Sequence, residues 1–76
     1  MLILALAIMP PVAAQSFKPD LDAGDAAYMK SDYATALRHY RPLAQQGDAK
    51  AQYQIGGMYE HGWGVTKDDE EAVNWY

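Results

Sequence analysis

A chain of 76 residues can bury only one small hydrophobic core, and the absence of cysteine excludes disulfide bonds as a way to stabilise it. The net charge of −4 and the pI near 4.8 argue against nucleic acid or an anionic membrane surface as a partner, because both would repel an acidic protein.

Residues 1–14 have the pattern of a secretory signal peptide. An almost wholly apolar run is interrupted by two prolines, and small side chains occupy the −3 and −1 positions of a cleavage site between Ala14 and Gln15. The usual positive start is missing, since no Lys or Arg precedes Lys18. A membrane anchor is the alternative, but a span needs about 20 apolar residues, and here the two prolines, Pro10 and Pro11, directly follow the apolar run of residues 1–9. We expect cleavage at this site, a periplasmic or secreted location, and no membrane span in the mature form.

Residues 15–19 form a polar leader that contains a proline, and we expect this leader to be mobile. A first helix is predicted over about residues 20–30, because Asp20 can accept hydrogen bonds from the free N–H groups of a first helical turn. Its inward positions, spaced by three and four residues, are Leu21, Gly24 and Tyr28.

A second helix is predicted over about residues 33–46, with Asp32 as its N-cap after a tight turn. Pro42 lies inside this helix and should kink it or weaken its last turn, since proline has no backbone N–H. Gly47 is the expected end. The apolar stripe of this helix consists of Tyr33, Ala36, Leu37, Tyr40, Leu43 and Ala44.

A third helix is predicted to begin after Asp48 and to end at Gly62. Gly56 and Gly57 each cost about 1 kcal/mol inside a helix relative to alanine. We therefore expect this glycine pair where a neighbouring helix approaches closely. The apolar stripe of the third helix consists of Ala51, Ile55, Met58 and Tyr59.

A fourth helix is predicted after Asp68, which together with Glu71 forms the aspartate version of a capping box. We expect its buried stripe to begin with Ala72, Val73 and Tyr76. Only about two helical turns precede the end of the sequence. We therefore expect this chain to hold about one and a half repeats of a longer array, with an incomplete last helix.

The two halves of the sequence resemble each other. Tyr28 and Tyr59 lie 31 residues apart, whereas Tyr40 and Tyr76 lie 36 residues apart, which places a five-residue insertion around residues 62–66. A helical pattern that repeats with a period in the thirties is typical of a solenoid of helix pairs. The predicted fold is therefore all-α, an antiparallel helix-pair solenoid.

The second half carries four motifs: Ala-x-Ala-Gln-Tyr, Gly-x-Met-Tyr, Gly-x-Gly-Val, and Asp followed by Glu-Ala-Val-x-Trp-Tyr. On these motifs residues 48–76 resemble a Sel1-like repeat, a relative of the tetratricopeptide repeat with an extended loop. Residues 20–47 resemble the shorter tetratricopeptide form. The resemblance implies a right-handed superhelix that serves as a protein-interaction scaffold.

The resemblance favours an exported scaffold that binds a protein or peptide partner, with no catalysis and no cofactor. The candidate partner surface consists of Gln52, Tyr53 and Trp63. Gln52 and Tyr53 are predicted to face outward on the third helix, toward the concave face of the solenoid, with packing between helices as the alternative role. Trp63 either packs inside its loop or anchors a partner. One alternative is a Sel1-like protein that binds or hydrolyses peptidoglycan; relatives with that role resemble a cysteine-rich branch of the family, whereas this chain has no cysteine. The other alternative is a non-functional truncated fragment.

Catalytic and metal-binding patterns are weak. His39 and His61 have no cysteine and no convergent partner in the sequence, and they are better explained as a half-exposed helix residue and a residue at a helix end. The acidic run 68–71 lacks the alternating ligands and the glycine of an EF-hand loop. The sequence contains no phosphate loop, zinc motif or serine triad pattern. We therefore predict neither an enzyme nor a metal site.

Overall fold

The computed structural model describes residues 17–76, and all regular secondary structure in that span is helical. Each helix packs against the next one in the chain, so that the first two form one pair and the last two a second pair. The predicted all-α fold of helix pairs is confirmed. The predicted signal peptide lies outside the described residues. The helices are α1 (Leu21–Met29), α2 (Tyr33–Gln45), α3 (Ala49–His61) and α4 (Asp69–Trp75).

An aspartate caps every one of these helices, as predicted. The carboxylates of Asp20, Asp32, Asp48 and Asp68 each accept a hydrogen bond from a backbone N–H in the first turn of the helix that follows. Gly62 ends α3 with a φ of 74°, in the left-handed region that glycine enters without steric cost. These caps explain why the helix boundaries follow so closely from the sequence.

The hydrophobic core is centred on α2 and α3. Its largest side chains, Tyr40, Ile55 and Met58, are 0% exposed. Small residues between them allow the helices to approach closely, and partly buried aromatic and aliphatic side chains pack around the cluster. The stripes predicted for α2 and α3 therefore supply most of the core, while their members Tyr33, Leu43 and Tyr59 are only partly buried against it. Its remaining members are Ala27, Ala36, Leu37, Ala44 and Ala51.

The reciprocal capping box predicted for α4 is wrong. Asp68 makes its half of the box by accepting from the backbone N–H groups of Glu70 and Glu71. The Glu71 carboxylate, however, accepts from the Trp75 indole Nε1 at 3.2 Å. The N–H of Asp68 donates instead to the Tyr59 carbonyl at 2.9 Å, which closes the extended loop at the end of α3.

The predicted stripe of α4 is only partly buried. Ala72 is 3% exposed, but Val73 is 70% exposed and Tyr76 is 57% exposed. The prediction that Val73 faces the core is therefore wrong. The physical reason is that α4 packs chiefly on α3, and no further helix among residues 17–76 covers its other side.

Pro42 does not end α2. The helix continues past it to Gln45, and the Pro42 carbonyl accepts a hydrogen bond from the Gln46 N–H at 3.1 Å. Proline removes one donor from the last turn but leaves its own carbonyl available.

Phe17, which belongs to the predicted leader of residues 15–19, contacts α2. The Arg38 guanidinium lies 4.0 Å from the centroid of the Phe17 ring, and the His39 ring lies 4.9 Å from it. Among the described helices, none has both the length and the apolar character that a bilayer span requires.

Candidate interaction surface

The Tyr76 ring lies directly on the glycine pair of α3. A Cβ atom at Gly56 would lie 2.6 Å from Tyr76 Cε1, which is closer than non-bonded carbon atoms approach. A Cβ atom at Gly57 would meet Tyr76 Oη at 3.7 Å, an ordinary contact. The close approach predicted at this pair is therefore confirmed at Gly56, and a side chain rather than a helix backbone makes it.

The Tyr76 hydroxyl is anchored to α3. It donates a hydrogen bond to Glu60 Oε1 at 2.6 Å. This bond, with smaller contributions from desolvation and from the negative charge of Glu60, raises the pKa of Tyr76 to about 12. The hydroxyl and one part of the ring therefore contact α3, while the remainder of the ring is exposed.

Tyr53 and Tyr76 border a groove between α3 and α4. Their ring centroids lie 5.6 Å apart. This groove measures about 550 Å³ and is lined by Ala49, Gln52, Tyr53, Trp75 and Tyr76. A smaller groove of about 310 Å³, which Val73 and Glu60 help to line, lies beside Tyr76. We call the five residues of the first groove, together with Val73, the α3–α4 face.

The structure brings two of the three predicted partner residues into this groove. Tyr53 is 66% exposed. Gln52 is half-buried, and its Nε2 donates to the Ala44 carbonyl at 3.0 Å, so its amide also joins α3 to the end of α2. Of this pair, Tyr53 offers the larger free surface to a partner.

Trp63 lies in a separate aromatic cluster at the loop between α3 and α4. Its ring is nearly parallel to that of Tyr33, with centroids 5.7 Å apart and an angle of 9°. The His61 ring lies 4.4 Å away, and the Tyr28 ring meets it edge-on at 6.0 Å. Trp63 is 37% exposed, and these contacts give it a packing role in the loop.

A polar network joins α1, α2 and α3. The buried Tyr40 hydroxyl donates to Asp25 Oδ1 at 2.6 Å, and Lys50 Nζ donates to Asp25 Oδ2 at 2.8 Å. Burial alone would raise the pKa of Asp25, but the hydrogen bonds from Lys50 and Tyr40 outweigh it and hold that pKa below its ordinary value. Burial and the bond to Asp25 raise the pKa of Tyr40 well above its ordinary value.

The two histidines have structural partners. His39 Nδ1 accepts a hydrogen bond from the Asp20 N–H at 3.1 Å, and His61 stacks on Trp63. Within residues 17–76, no three side chains of the metal-binding types are grouped to hold an ion.

The geometry of two consecutive helix pairs agrees with a comparison of the sequence with known families. The family model of the Sel1 repeat matches residues 22–48 and again residues 49–76. This chain belongs to the Sel1-repeat family. One Sel1 repeat therefore corresponds to α1 and α2, and the second to α3 and α4.

Several curated proteins contain a similar segment. The chain is 43% identical over 54 residues to the ERAD-associated E3 ubiquitin-protein ligase component HRD3 of Candida glabrata, a match that covers 71% of this chain and 6% of that protein. It is 48% identical over 48 residues to human protein sel-1 homolog 2, covering 62% of this chain and 7% of that protein. It is 40% identical over 53 residues to chitin synthase regulatory factor 3 of Schizosaccharomyces pombe, covering 70% of this chain and 6% of that protein.

This Sel1-repeat chain thus corresponds to less than a tenth of the length of these relatives. No solved structure matches it.

Sequence reasoning missed Val73 as a surface residue of the second Sel1 repeat, because it assigned Val73 to a buried stripe. It assigned Tyr76 to contacts between repeats and expected this aromatic side chain to be exposed where no further repeat covers it, and Tyr76 is 57% exposed. The counterparts of Val73 and Tyr76 at the 36-residue offset are Leu37 and Tyr40. Leu37 and Tyr40 are indeed buried, at 6% and 0% exposure. The 36-residue offset identifies the right positions, but exposure depends on whether a further helix covers them.

Proposed function

We propose that this Sel1-repeat chain is part of an exported scaffold that binds a protein or peptide partner through the α3–α4 face. The match of two Sel1 repeats carries the proposal, because the family consists of interaction scaffolds. Binding, rather than catalysis, is the proposed role.

The chemistry of the α3–α4 face supports this role. Tyrosine and tryptophan are enriched among the residues that contribute most to protein–protein binding, since they bury a large area at a small cost in conformational entropy. Tyr53 and Tyr76 are more than half exposed, and Trp75 lines the groove beside them. An exposed group of this kind, rimmed by polar side chains, is typical of a binding site.

Site-specific photo-crosslinking tests the surface. A photoreactive phenylalanine analogue at position 53 should form a discrete adduct with a partner in the cell envelope fraction. The same analogue at position 29 is the matched control, since Met29 is 82% exposed but lies on α1. Adducts of equal yield from both positions, or none from either, would contradict the proposed surface. An adduct that peptidoglycan fragments displace would favour the cell-wall alternative.

Export has its own test. A reporter enzyme that is active only outside the cytoplasm, fused after residue 20, should be exported, and mass spectrometry should find Gln15 at the new N-terminus. Ala14→Arg should block the cleavage, because the −1 position requires a small side chain. An active reporter with an uncleaved N-terminus would instead indicate a membrane anchor, and an inactive reporter would contradict export.

A further inference from the structure

Residues 17–19, which precede the capping residue of α1, lie against α2, and we call them the N-terminal strap. The centroid of the Phe17 ring is 4.0 Å from the Arg38 guanidinium and 4.9 Å from the centroid of the His39 ring. Where the strap joins α1, the backbone N–H of Asp20 donates a hydrogen bond to His39 Nδ1 at 3.1 Å. The strap therefore contacts α2 at two points, and His39 takes part in both.

His39 also lies at the contact between α1 and α2. A Cβ atom at Gly24 would lie 3.1 Å from His39 Cβ, which is closer than most carbon atoms approach. The side chain is half-buried. Its base is therefore confined by α1, while its ring reaches the strap.

The hydrogen bond from Asp20 identifies the protonation state of His39. A ring nitrogen that accepts an N–H bond carries no proton, so His39 is the neutral imidazole with its proton on Nε2. In the imidazolium form both ring nitrogens are donors. A proton added to Nδ1 would face the N–H of Asp20, so the hydrogen bond that joins the strap to α2 would be lost.

A positive charge on His39 would also be repelled by its surroundings. Arg38 is the preceding residue, and its guanidinium contacts the same Phe17 ring as His39. Like charges at short distance repel. The N-terminus of α1, which begins directly after Asp20, adds a partial positive charge at the same place.

The carboxylate closest in the chain to this contact already has a structural role. Asp20 Oδ1 accepts a hydrogen bond from the Asp22 N–H at 3.0 Å and so caps α1. Turning this carboxylate toward a protonated His39 would remove the cap. Asp20 therefore cannot compensate the imidazolium without loosening the first turn of α1.

The other titratable groups around the ring come from the strap, from the first half of α1 and from α2. Asp25 already accepts hydrogen bonds from Lys50 and from the Tyr40 hydroxyl. Positive and negative side chains on the three segments are equal in number, so no excess of negative charge favours the imidazolium. They are Lys18, Arg38 and Arg41 on one side and Asp20, Asp22 and Asp25 on the other.

We propose that the N-terminal strap is a proton-sensitive clasp: neutral His39 holds the strap on α2, and protonated His39 releases it. Release leaves α1 in place, because the cap depends on the Asp20 carboxylate and not on the Asp20 N–H. Histidine is the side chain whose charge ordinarily changes between pH 5 and pH 8, so mild acidification opens the clasp. The clasp lies on the first repeat and does not depend on the function proposed for the α3–α4 face.

Fluorine NMR of the full chain tests the clasp. Phe17 is the only phenylalanine in the sequence, so labelling with 4-fluorophenylalanine gives one ¹⁹F signal, which reports on the strap. Between pH 7.5 and pH 5.0 this signal should move toward its position in urea, where the ring is solvated. Nuclear Overhauser effects between the Phe17 ring and Arg38 should be present at pH 7.5 and absent at pH 5.0.

Hydrogen exchange distinguishes release of the strap from unfolding of α1. Protection of the Asp20 amide, corrected for the intrinsic effect of pH on exchange, should fall about fivefold on acidification, the effect expected for the loss of one hydrogen bond. The Gly24 amide donates to the Asp20 carbonyl at 2.9 Å within α1. Its protection should not change.

Substitutions identify the group that takes up the proton. His39→Asn keeps an acceptor near the position of Nδ1 but does not titrate in this range, so the ¹⁹F signal should be the same at pH 7.5 and pH 5.0. His39→Lys introduces a permanent cation without an acceptor, so the signal should have its released position at both pH values. His61→Asn is the matched control, because it removes the other histidine, which stacks on Trp63. It should leave the response of the Phe17 signal unchanged.

A ¹⁹F signal that does not respond to pH, or that responds equally in His39→Asn, would overturn the clasp. Loss of the response in His61→Asn would assign it to the wrong histidine and would overturn the clasp as well. Loss of protection at Gly24 together with Asp20 would contradict a release that spares α1. Contacts between Phe17 and Arg38 that persist at pH 5.0 would contradict release itself.

Discussion

Gly56 and Gly57 are adjacent in α3, yet they lie in different surroundings. The Tyr76 ring occupies the space above Gly56, while the nearest atom above Gly57 is at an ordinary contact distance. The sequence indicated a close approach, because two glycines inside a helix are unfavourable without one. It did not indicate which residue approaches, since Tyr76 lies 20 positions away and reaches Gly56 only when α4 folds back onto α3.

We predict that Gly57→Ala stabilises the protein and Gly56→Ala does not. Alanine at position 57 should raise the free energy of unfolding by about 0.5–1 kcal/mol, because it lowers the entropy of the unfolded chain and finds room in the helix. Alanine at position 56 gains the same term but must displace the Tyr76 ring. Urea denaturation of the two variants measures the difference.

The NMR signals of the Tyr76 ring provide a second measurement for the two glycine substitutions. Gly56→Ala should move the ring resonances of Tyr76 toward those of a solvated tyrosine, and Gly57→Ala should leave them in place. Equal stabilisation by the two substitutions, with Tyr76 unmoved in both, would contradict the contact.

At the scale of elements, α4 is the shortest of the four helices in residues 17–76. It has seven residues, and isolated helices shorter than about 12 residues are not stable in water. Its stability therefore comes from its N-cap and from packing on α3. Asp68 is its cap and accepts from two backbone N–H groups, both at 3.1 Å.

We predict that Asp68→Ala loosens α4 before the other helices. Loss of an N-cap costs about 1 kcal/mol, and a helix of two turns has little else to offset that loss. Hydrogen exchange at the amides of Ala72 and Tyr76 should accelerate severalfold, while the amides of α2 keep their protection. Asp69→Ala is the control, because Asp69 makes only an exposed ion pair with Lys67. A uniform loss of protection in all helices would contradict an independent opening of α4.

The helices themselves could be predicted from the sequence to within about two residues. Each has an aspartate before it and an apolar stripe of helical spacing, and both signals are local. The burial of α4 could not be predicted in the same way. Val73 has the spacing of a core residue, but its exposure is decided by the presence or absence of a neighbouring helix, which is a non-local property.

For the whole molecule, the Tyr40–Asp25–Lys50 network couples three helices through one carboxylate. Asp25 and Lys50 are 25 positions apart, and neither lies on a predicted stripe, so their pairing could not be inferred before the helix packing was known. The same holds for the candidate site. Tyr53 could be placed on the surface of α3 from its helical position, but its contact with the Tyr76 ring could not be inferred.

We predict that this network makes folding stability depend on pH in the acid range. The pKa of Asp25 is lower in the folded protein than its ordinary value of about 3.9. Its contribution is therefore present above that ordinary value and is lost as the pH falls through the folded pKa. Denaturation midpoints measured from pH 7 down to pH 2 should drop in the acid range, and Asp25→Asn should flatten that drop at the cost of lower stability at pH 7.

Asp69→Asn is the control for this experiment, because it removes a carboxylate from an ion pair that is mostly exposed. It should leave the decrease of the denaturation midpoint at acid pH nearly unchanged. A decrease as steep in Asp25→Asn as in the unsubstituted protein would contradict the role of the network.

The two ends of α3 are fastened to the same neighbour. Lys50, near its beginning, holds Asp25 of α1, and Trp63, just beyond its end, rests on Tyr28 of α1. Two separate contacts therefore join the second repeat to the first, in addition to the packing of α3 on α2. No comparable second contact holds α4 among the described residues, since it packs chiefly on α3, so we expect α4 to change its position more readily than the other three described helices.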